Sequence, residues 1–529
     1  MGDYVSRRTY GRKRIIIEKE VTRDSIIGIL QEAIPIHSQN VEDMQYLLNY
    51  CKGKQNIYNR TNSDAGYNQD INNHTVINYA WSSVRDIVGY TFGKNTQYTP
   101  TSDKYRKEID EINRILTYEN NALADHESST FASICGVGYL CMLPSDELLS
   151  DYMPDIPLLD ISLDPLQTFV VQSARPGNPV TLSVTYYTDL ENTYFTCYTD
   201  KEIFYIKSKG NLALVTGTQI TIASGVNPIG LNPISQVQNN SFLMGDFEVA
   251  ISVLDAINQL ASDTLNDVEN VIKSLLIVIN AELNDETVEK VKKNRILEIV
   301  AGGENKQPDA KFIYQQLDAI GMQNIREYLE EAYKQIIGIP DRKTRGGGGG
   351  DTGDAVKLRD GWADIEIVAR IKEQYFKKAK RKQVAVAIKI LQKLNLIAKE
   401  FRAKYLDIKV PRNQVDNLQT KAQAFSTING TKTLHPADAL DIVEITTDVD
   451  GKVERGLKFW EEYAEKQQEI QNMYKENENN VGSNGEASSS SAKMGQQQEN
   501  QYNTDIAETK KRKDAIKSEQ GNKKRERIY

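Results

Sequence analysis

GIPDRKTRGGGGGDTGDAVK, Gly338 to Lys357, decides how the rest of the chain is read. It opens on a helix stop, Gly338 and Pro340. Three cations follow, Arg342, Lys343 and Arg345, and then five consecutive glycines, Gly346, Gly347, Gly348, Gly349 and Gly350. Beyond it, Asp354 to Leu394 contains no proline and one glycine, Gly361. Its residues Trp362, Ile365, Val368, Ile371, Tyr375, Val384, Ile388 and Leu391 recur at helical spacing. That predicts about 60 Å of continuous helix at 1.5 Å per residue, a length that normally bridges parts of a large assembly. A glycine loop ahead of a helix resembles a phosphate cradle, but the Walker pattern requires Gly-Lys-Ser/Thr at its end. Here Asp351-Thr352-Gly353-Asp354 follow, and carboxylates at a helix N-terminus repel an anion. The stretch reads as a mobile loop with a cationic front half.

Moving toward the N-terminus, a helix is expected over about Gly321 to Ile337. Before it lies a small α/β insertion: strand Leu275 to Ile279, helix Asp285 to Lys293, strand Ile296 to Val300 and strand Lys311 to Tyr314. A long helix precedes that insertion, with Asp246 as its N-cap and Val253, Leu254, Ile257, Leu260 and Leu265 on its apolar face. This helix carries six acids, Asp246, Glu248, Asp255, Asp263, Asp267 and Glu269, against one lysine, Lys273. Pro228 to Asn240 reads as a loop with two prolines. Between Val137 and Val215 the period is two, with strands at Thr168 to Val171, Thr181 to Tyr187, Tyr194 to Tyr198 and Ile203 to Ile206. Arg175-Pro176-Gly177-Asn178 makes a hairpin turn. Residues 1 to 60 read as helical, with an apolar pattern at Ile26, Ile27, Ile29 and Leu30 and again at Met44, Leu47 and Leu48, and further helices are expected from His74 to Tyr90, from Tyr105 to Asn120 and from Ala122 to Cys135. Toward the C-terminus come a strand at 405 to 410, short helices at Asp416 to Asn429 and Pro436 to Val443, and a polar helix from Val453 to Lys475. The end is rich in Asn, Gln and Ser and cannot bury enough apolar surface to order itself. From Lys510 to Tyr529 nine Lys or Arg stand against three Asp or Glu.

The 529 residues are too many for one core. A net charge of −8 means that any contact with duplex DNA is local or weak. No Cys-x-x-Cys pair occurs among Cys51, Cys135, Cys141 and Cys197, and the four histidines show no ligand spacing with them. No metal site, cofactor or catalytic constellation is expected. No apolar run reaches the length that spans a bilayer. Met1 to Ser6 matches a myristoylation pattern by letter, but nothing downstream is membrane-directed.

Four sets of residues resemble one family, the portal proteins of tailed bacteriophages, in the type found in long-tailed phages of Gram-positive bacteria. They are Asn73 to Ala80 continuing to Val88-Gly89-Tyr90-Thr91-Phe92-Gly93; Gly136-Val137-Gly138-Tyr139-Leu140; Asn232-Pro233-Ile234, Asn239-Asn240, Gly245-Asp246-Phe247-Glu248 and Leu254-Asp255-Ala256; and Thr352-Gly353-Asp354-Ala355-Val356-Lys357. Each is short, and their order and spacing carry the match over roughly residues 40 to 450. The unbroken glycine run departs from the family pattern.

The resemblance implies an α+β portal-type subunit, not an enzyme, assembled as a ring of twelve. It places a wing at 1–245, stem helices at 246–274 and 318–337, a clip at 275–317, a tunnel loop at 338–353, a long wing or spine helix at 354–394, a crown at 395–470 and a disordered tail at 471–529. It implies a virion protein at one capsid vertex, assembled in the host bacterial cytoplasm. DNA would pass through the channel without sequence preference during packaging and ejection. The terminase large subunit, major capsid and scaffold proteins, and head-completion or tail adaptor proteins would be partners, with no membrane. Arg342, Lys343 and Arg345 would meet DNA phosphates, and the six acids would line a wall that does not grip moving DNA. The alternatives are a nucleotide-binding enzyme using Gly346 to Gly350, and a structural capsid or baseplate ring without DNA contact.

Overall fold

The computed structural model describes residues 10–61, 71–101, 103–118, 121–145, 157–210, 220–272, 275–279, 309–313, 319–340, 362–413, 418–430, 439–440, 443 and 449–481. The chain divides into two compact units, residues 1–414 and 415–529.

The first unit begins with β1 (Ile15–Ile16) and α1 (Ile26–Cys51), which continues through Pro35. Then come α2 (Tyr79–Phe92), β2 (Gln97–Pro100), α3 (Arg106–Tyr118) and α4 (Asn121–Cys135). Strands β3 (Val137–Pro144), β4 (Leu158–Leu163), β5 (Thr168–Gln172), β6 (Val180–Thr188), β7 (Asn192–Tyr198), β8 (Glu202–Lys209), β9 (Ile220–Val226) and β10 (Ile234–Gln238) follow. They form two sheets. One has the order β1-β5-β6-β7-β8-β9, antiparallel except for the parallel β1–β5 edge. Alternation along β8 buries Phe204, Ile206 and Ser208 and exposes the residues between, as a half-buried strand should. The buried face packs on Ile26, Ile29, Leu30 and Ala33 of α1. The second sheet, β10-β3-β4, is antiparallel, and in β3 the first six residues are all buried.

Gly136 opens β3 at φ +84°, where a Cβ would lie 2.0 Å from the Leu243 carbonyl oxygen. Only glycine admits that approach. The expected loop at Pro228 to Asn240 therefore contains a strand. Ser235, Gln236 and Gln238 hide it by composition, yet Ser235 is buried and the strand pairs with β3 from Val137 to Cys141.

Helix α5 (Ile251–Ile272) leads to β11 (Leu275–Ile279), which pairs antiparallel with β12 (Asp309–Ile313), and the chain returns through α6 (Ala319–Ile337). The helix expected at Asp285 to Lys293 and the strand at Ile296 to Val300 lie outside the described residues. Gly338 ends α6 at φ +74°. Helix α7 (Trp362–Lys393) runs through the unit and shares two cores. Its first half contributes Ile365, Ala369, Phe376 and Ala379 to the main core with α2, α4, β3 and β10. Its second half contributes Val384, Ala387, Ile388 and Leu391 to a core with Ile109, Ile112 and Leu116 of α3. Strand β13 (Leu406–Lys409) pairs with β2, so residues 395–413 belong with this unit.

In the second unit, α8 (Leu418–Gly430) and α9 (Val449–Val481) are the long elements. Helix α9 extends into the stretch expected as tail. Its Glu, Gln, Lys and Met residues are good helix formers even where they build no core.

Candidate functional site

Helices α5 and α6 pack side by side and are joined at one end by the β11–β12 pair. At the other end, a junction of buried charges ties the start of α5 to the rest of the unit. Asp246 precedes α5 by a turn and is not its N-cap; a 3-10 turn, Glu248–Ala250, comes between. Its carboxylate accepts from Lys372 Nζ of α7 at 2.8 Å, from Asn239 Nδ2 at 2.8 Å and from the Ser133 hydroxyl. Glu248 accepts from Arg12 Nη2 at 2.7 Å, from the Gly11 amide at 2.9 Å and from the Gly245 amide at 2.8 Å. Both acids are almost wholly buried, each beside one cation. Burial is tolerable only with such pairing.

The residues before α2 are the second tie. The helix expected from His74 begins at Tyr79, and residues 71–78 run as irregular backbone beside α5. Their amides are met by α5 side chains: Asn73 N–H by Asn266 Oδ1 at 2.8 Å, Thr75 N–H by Ser262 Oγ at 2.9 Å and Ile77 N–H by Asn258 Oδ1 at 2.8 Å. Asn258, Ser262 and Asn266 stand four residues apart and so share one helix face. Asp255 belongs to the same stripe. It accepts from Tyr50 Oη and Asn56 Nδ2, each at 2.9 Å.

The six acids read as a channel wall therefore divide. Asp246, Glu248 and Asp255 face into the subunit, so they are removed from the wall. Counting charge along the sequence ignored helical phase and the turn before α5. Asp263 is part-exposed and pairs with Arg60 at 2.6 Å. Glu269 accepts from Asn73 Nδ2 at 3.1 Å. Asp267 is exposed, and its pKa is raised by partial burial and then by Asp263. Arg342, Lys343, Arg345 and Gly346 to Gly350 lie outside the described residues. Arg12, Lys372 and the Asn258–Ser262–Asn266 ladder were missed from sequence. The ladder left a signal, polar residues every fourth position on a mostly apolar helix; Arg12 and Lys372 left none.

Part of the exposed surface of α6 is apolar. Ile325, Tyr328 and Ile336 are exposed by half or more, and with Ala332 they form a stripe facing away from the buried Tyr333 and Ile337. Among the described residues no group of His, Cys, Asp and Glu could hold a metal ion, and no helix is long and apolar enough to cross a membrane. All four cysteines are buried and free.

Comparison with known proteins agrees with the motif resemblance. No curated protein matches. Among solved structures, the neck of an empty GTA particle, computed with C6 symmetry, is similar at 12% identity and a TM-score of 0.41, over 69% of this chain and 89% of that one. A family model described as phage portal protein, SPP1 Gp6-like, matches residues 30–482. That family is structural, not enzymatic, and a match across both units and all the described long helices makes this chain a member of it, a phage portal protein with the connector role the family carries.

Proposed function

We propose that copies of this chain form a ring, with twelve subunits as the family resemblance implies, and that the ring is the channel through which duplex DNA enters and leaves the capsid. The observation that carries assembly is the α6 stripe. Ile325, Tyr328 and Ile336 stand exposed on a helix whose other face is already packed, and a neighbouring copy would take them out of water. Each such side chain contributes about 1.5–3 kcal/mol when fully buried.

In this reading α5 and α6 are the stem, with Asp263, Asp267 and Glu269 left as its acidic character. Residues 275–317 are the clip where the packaging ATPase docks, and head-completion or tail proteins dock later. Residues 338–353 are the tunnel loop, and residues 395–470 are the crown. The ATP chemistry belongs to the partner, and the protein sits at a capsid vertex. Native mass spectrometry of the purified protein tests the ring: twelve times the 59.7 kDa chain mass is expected, and a stable monomer at micromolar concentration refutes it. Changing Arg342, Lys343 and Arg345 to alanine tests the loop. Rings should form as before while packaged-genome yield falls; an unchanged yield removes the loop from DNA contact.

A further inference from the structure

Helix α7 carries a second concentration of positive charge, apart from the loop. From Gln374 to Lys399 there is no Asp or Glu, against eight Lys or Arg. Lys377 and Lys380 are used internally, with Glu373 and Asp125. Lys378, Arg381, Lys382, Lys389 and Lys393 are exposed, and none forms an ion pair with another described residue. At 100° per residue these five fall on one face of the helix, with Gln374, Tyr375, Ala385 and Gln392 among the uncharged members of the stripe. The stripe is about 22 Å long at 1.5 Å per residue.

The crowding of charge is physical. The Lys382 pKa is drawn below the ordinary lysine value, first by partial burial and then by Lys378, with Asp200 of the β7–β8 turn opposing. Asp200 is itself engaged by the Asn232 amide at 2.8 Å. In a chain of net charge −8, a cationic stripe without an interleaved acid is the exception.

We infer that this face of α7 binds the phosphate backbone of duplex DNA, without sequence preference, on a surface other than the channel. The inference rests on the reading that duplex DNA is a partner, and not on threading of the ring. Charge complementarity selects the occupant. A duplex presents one phosphate charge per about 1.7 Å of axis, roughly 13 along such a stripe. A protein partner fits poorly, because interface cores are depleted in lysine and enriched in aromatic side chains, and the stripe carries five exposed cations against one aromatic residue, the half-buried Tyr375. Lysine and arginine without a planar base-reading arrangement give affinity and position but no sequence readout.

The test uses the full-length assembled protein and relaxed, covalently closed circular DNA, which cannot thread a closed ring. The variant carries Lys378→Gln, Arg381→Gln, Lys382→Gln, Lys389→Gln and Lys393→Gln; a second keeps the charge by exchanging Lys for Arg and Arg for Lys at the same positions. The basic stretch at 510–529 and the tunnel loop are present in every protein compared. Wild type should bind two circles of unrelated sequence alike. Its affinity should fall steeply with salt, with a slope steeper than the glutamine variant's by about four, near 0.9 per phosphate contact. The glutamine variant should bind at least tenfold more weakly at 100 mM salt, and the charge-keeping variant should bind as wild type. A smaller change in either slope or affinity overturns the inference. So does wild-type binding to linear but not circular DNA, which would leave the channel reading standing. Loss of the ring in the glutamine variant with DNA affinity intact also overturns it, and assigns the stripe to a contact between subunits.

Discussion

Replacing Lys372 by methionine should loosen the start of α5 more than any other part of the first unit. Lys372 and Asp246 are 7% and 9% exposed in their side chains and 2.8 Å apart. Methionine keeps most of the volume of the lysine stem and removes the charge. It leaves an ionised carboxylate buried without its cation, and Asn239 Oδ1 without its lysine donor. Breaking a buried pair from one side costs about 3–5 kcal/mol. Asp246 keeps Ser133 and Asn239 as donors, which sets the expectation at the lower end, about 3 kcal/mol. The assay is amide hydrogen exchange across residues 245–254, because local opening is read there without unfolding the whole assembly. About 3 kcal/mol corresponds to exchange faster by roughly 100-fold at 1.4 kcal/mol per decade. Adding Asp246→Asn to Lys372→Met should restore protection to within about tenfold of wild type, since the orphaned charge is gone; such coupling is the mark of a direct pair. Protection within threefold of wild type in Lys372→Met, or strictly additive effects in the double variant, would refute the argument that this pair anchors α5.

Lys380 is fully buried among Asp125 at 2.5 Å, Asn121 at 2.7 Å and Asp160 at 3.6 Å, so Lys380→Met should destabilise the first unit by about 3–5 kcal/mol in urea unfolding, and a loss under 1 kcal/mol would contradict the geometry. His37, buried against Phe169 with its Nε2–H on the Leu166 carbonyl, has its pKa pushed down by burial to about 4. The unfolded chain takes up that proton near pH 6.5, so the His37 contribution is whole above that and is lost as pH falls toward 4, to a limit of about 3 kcal/mol. A His37→Phe variant should lose this part of the acid sensitivity in thermal melts between pH 7 and 4.5; an unchanged profile removes His37 as its source. Ile325→Glu with Tyr328→Glu should prevent the ring while leaving circular dichroism as wild type, and intact rings would show that this face of α6 is not a subunit contact.

The helices were legible where one face is apolar over many turns. The spacing of Trp362 through Leu391 predicts α7, and the spacing in Ile26 to Leu30 and Met44 to Leu48 foreshadows α1. Helix α1 continues through Pro35, where burial on both sides of the proline outweighs the lost hydrogen bond. Strands β5 to β8 were legible from alternation. Strand β10 was not, since its Ser and Gln side chains are polar and its pairing partner β3 is nearly 100 residues away in sequence. The resemblance reached the family because glycines such as Gly136 and the turn at Gly245 answer to close backbone approaches, and those leave letters in the sequence.

Charge was the least legible property, for a physical reason. An acid on a helix is exposed or buried according to its phase and to what packs on that face, and neither is local. Asp255 and Asp263 are eight residues apart on α5, yet one is held by Tyr50 and Asn56 inside the unit and the other meets Arg60 near solvent. The same composition thus serves two ends. Three of the six acids hold the start of α5 in place, and they do so only because Arg12, Lys372, Tyr50 and Asn56 arrive from elements far away in sequence. These attachments fix the start of α5, because breaking either half of a buried pair strands a charge. Asp263, Asp267 and Glu269 are the acids of α5 that remain at least partly exposed, while the cationic stripe of α7 and the Arg342–Arg345 segment are two places where the sequence concentrates basic residues and leaves acids out.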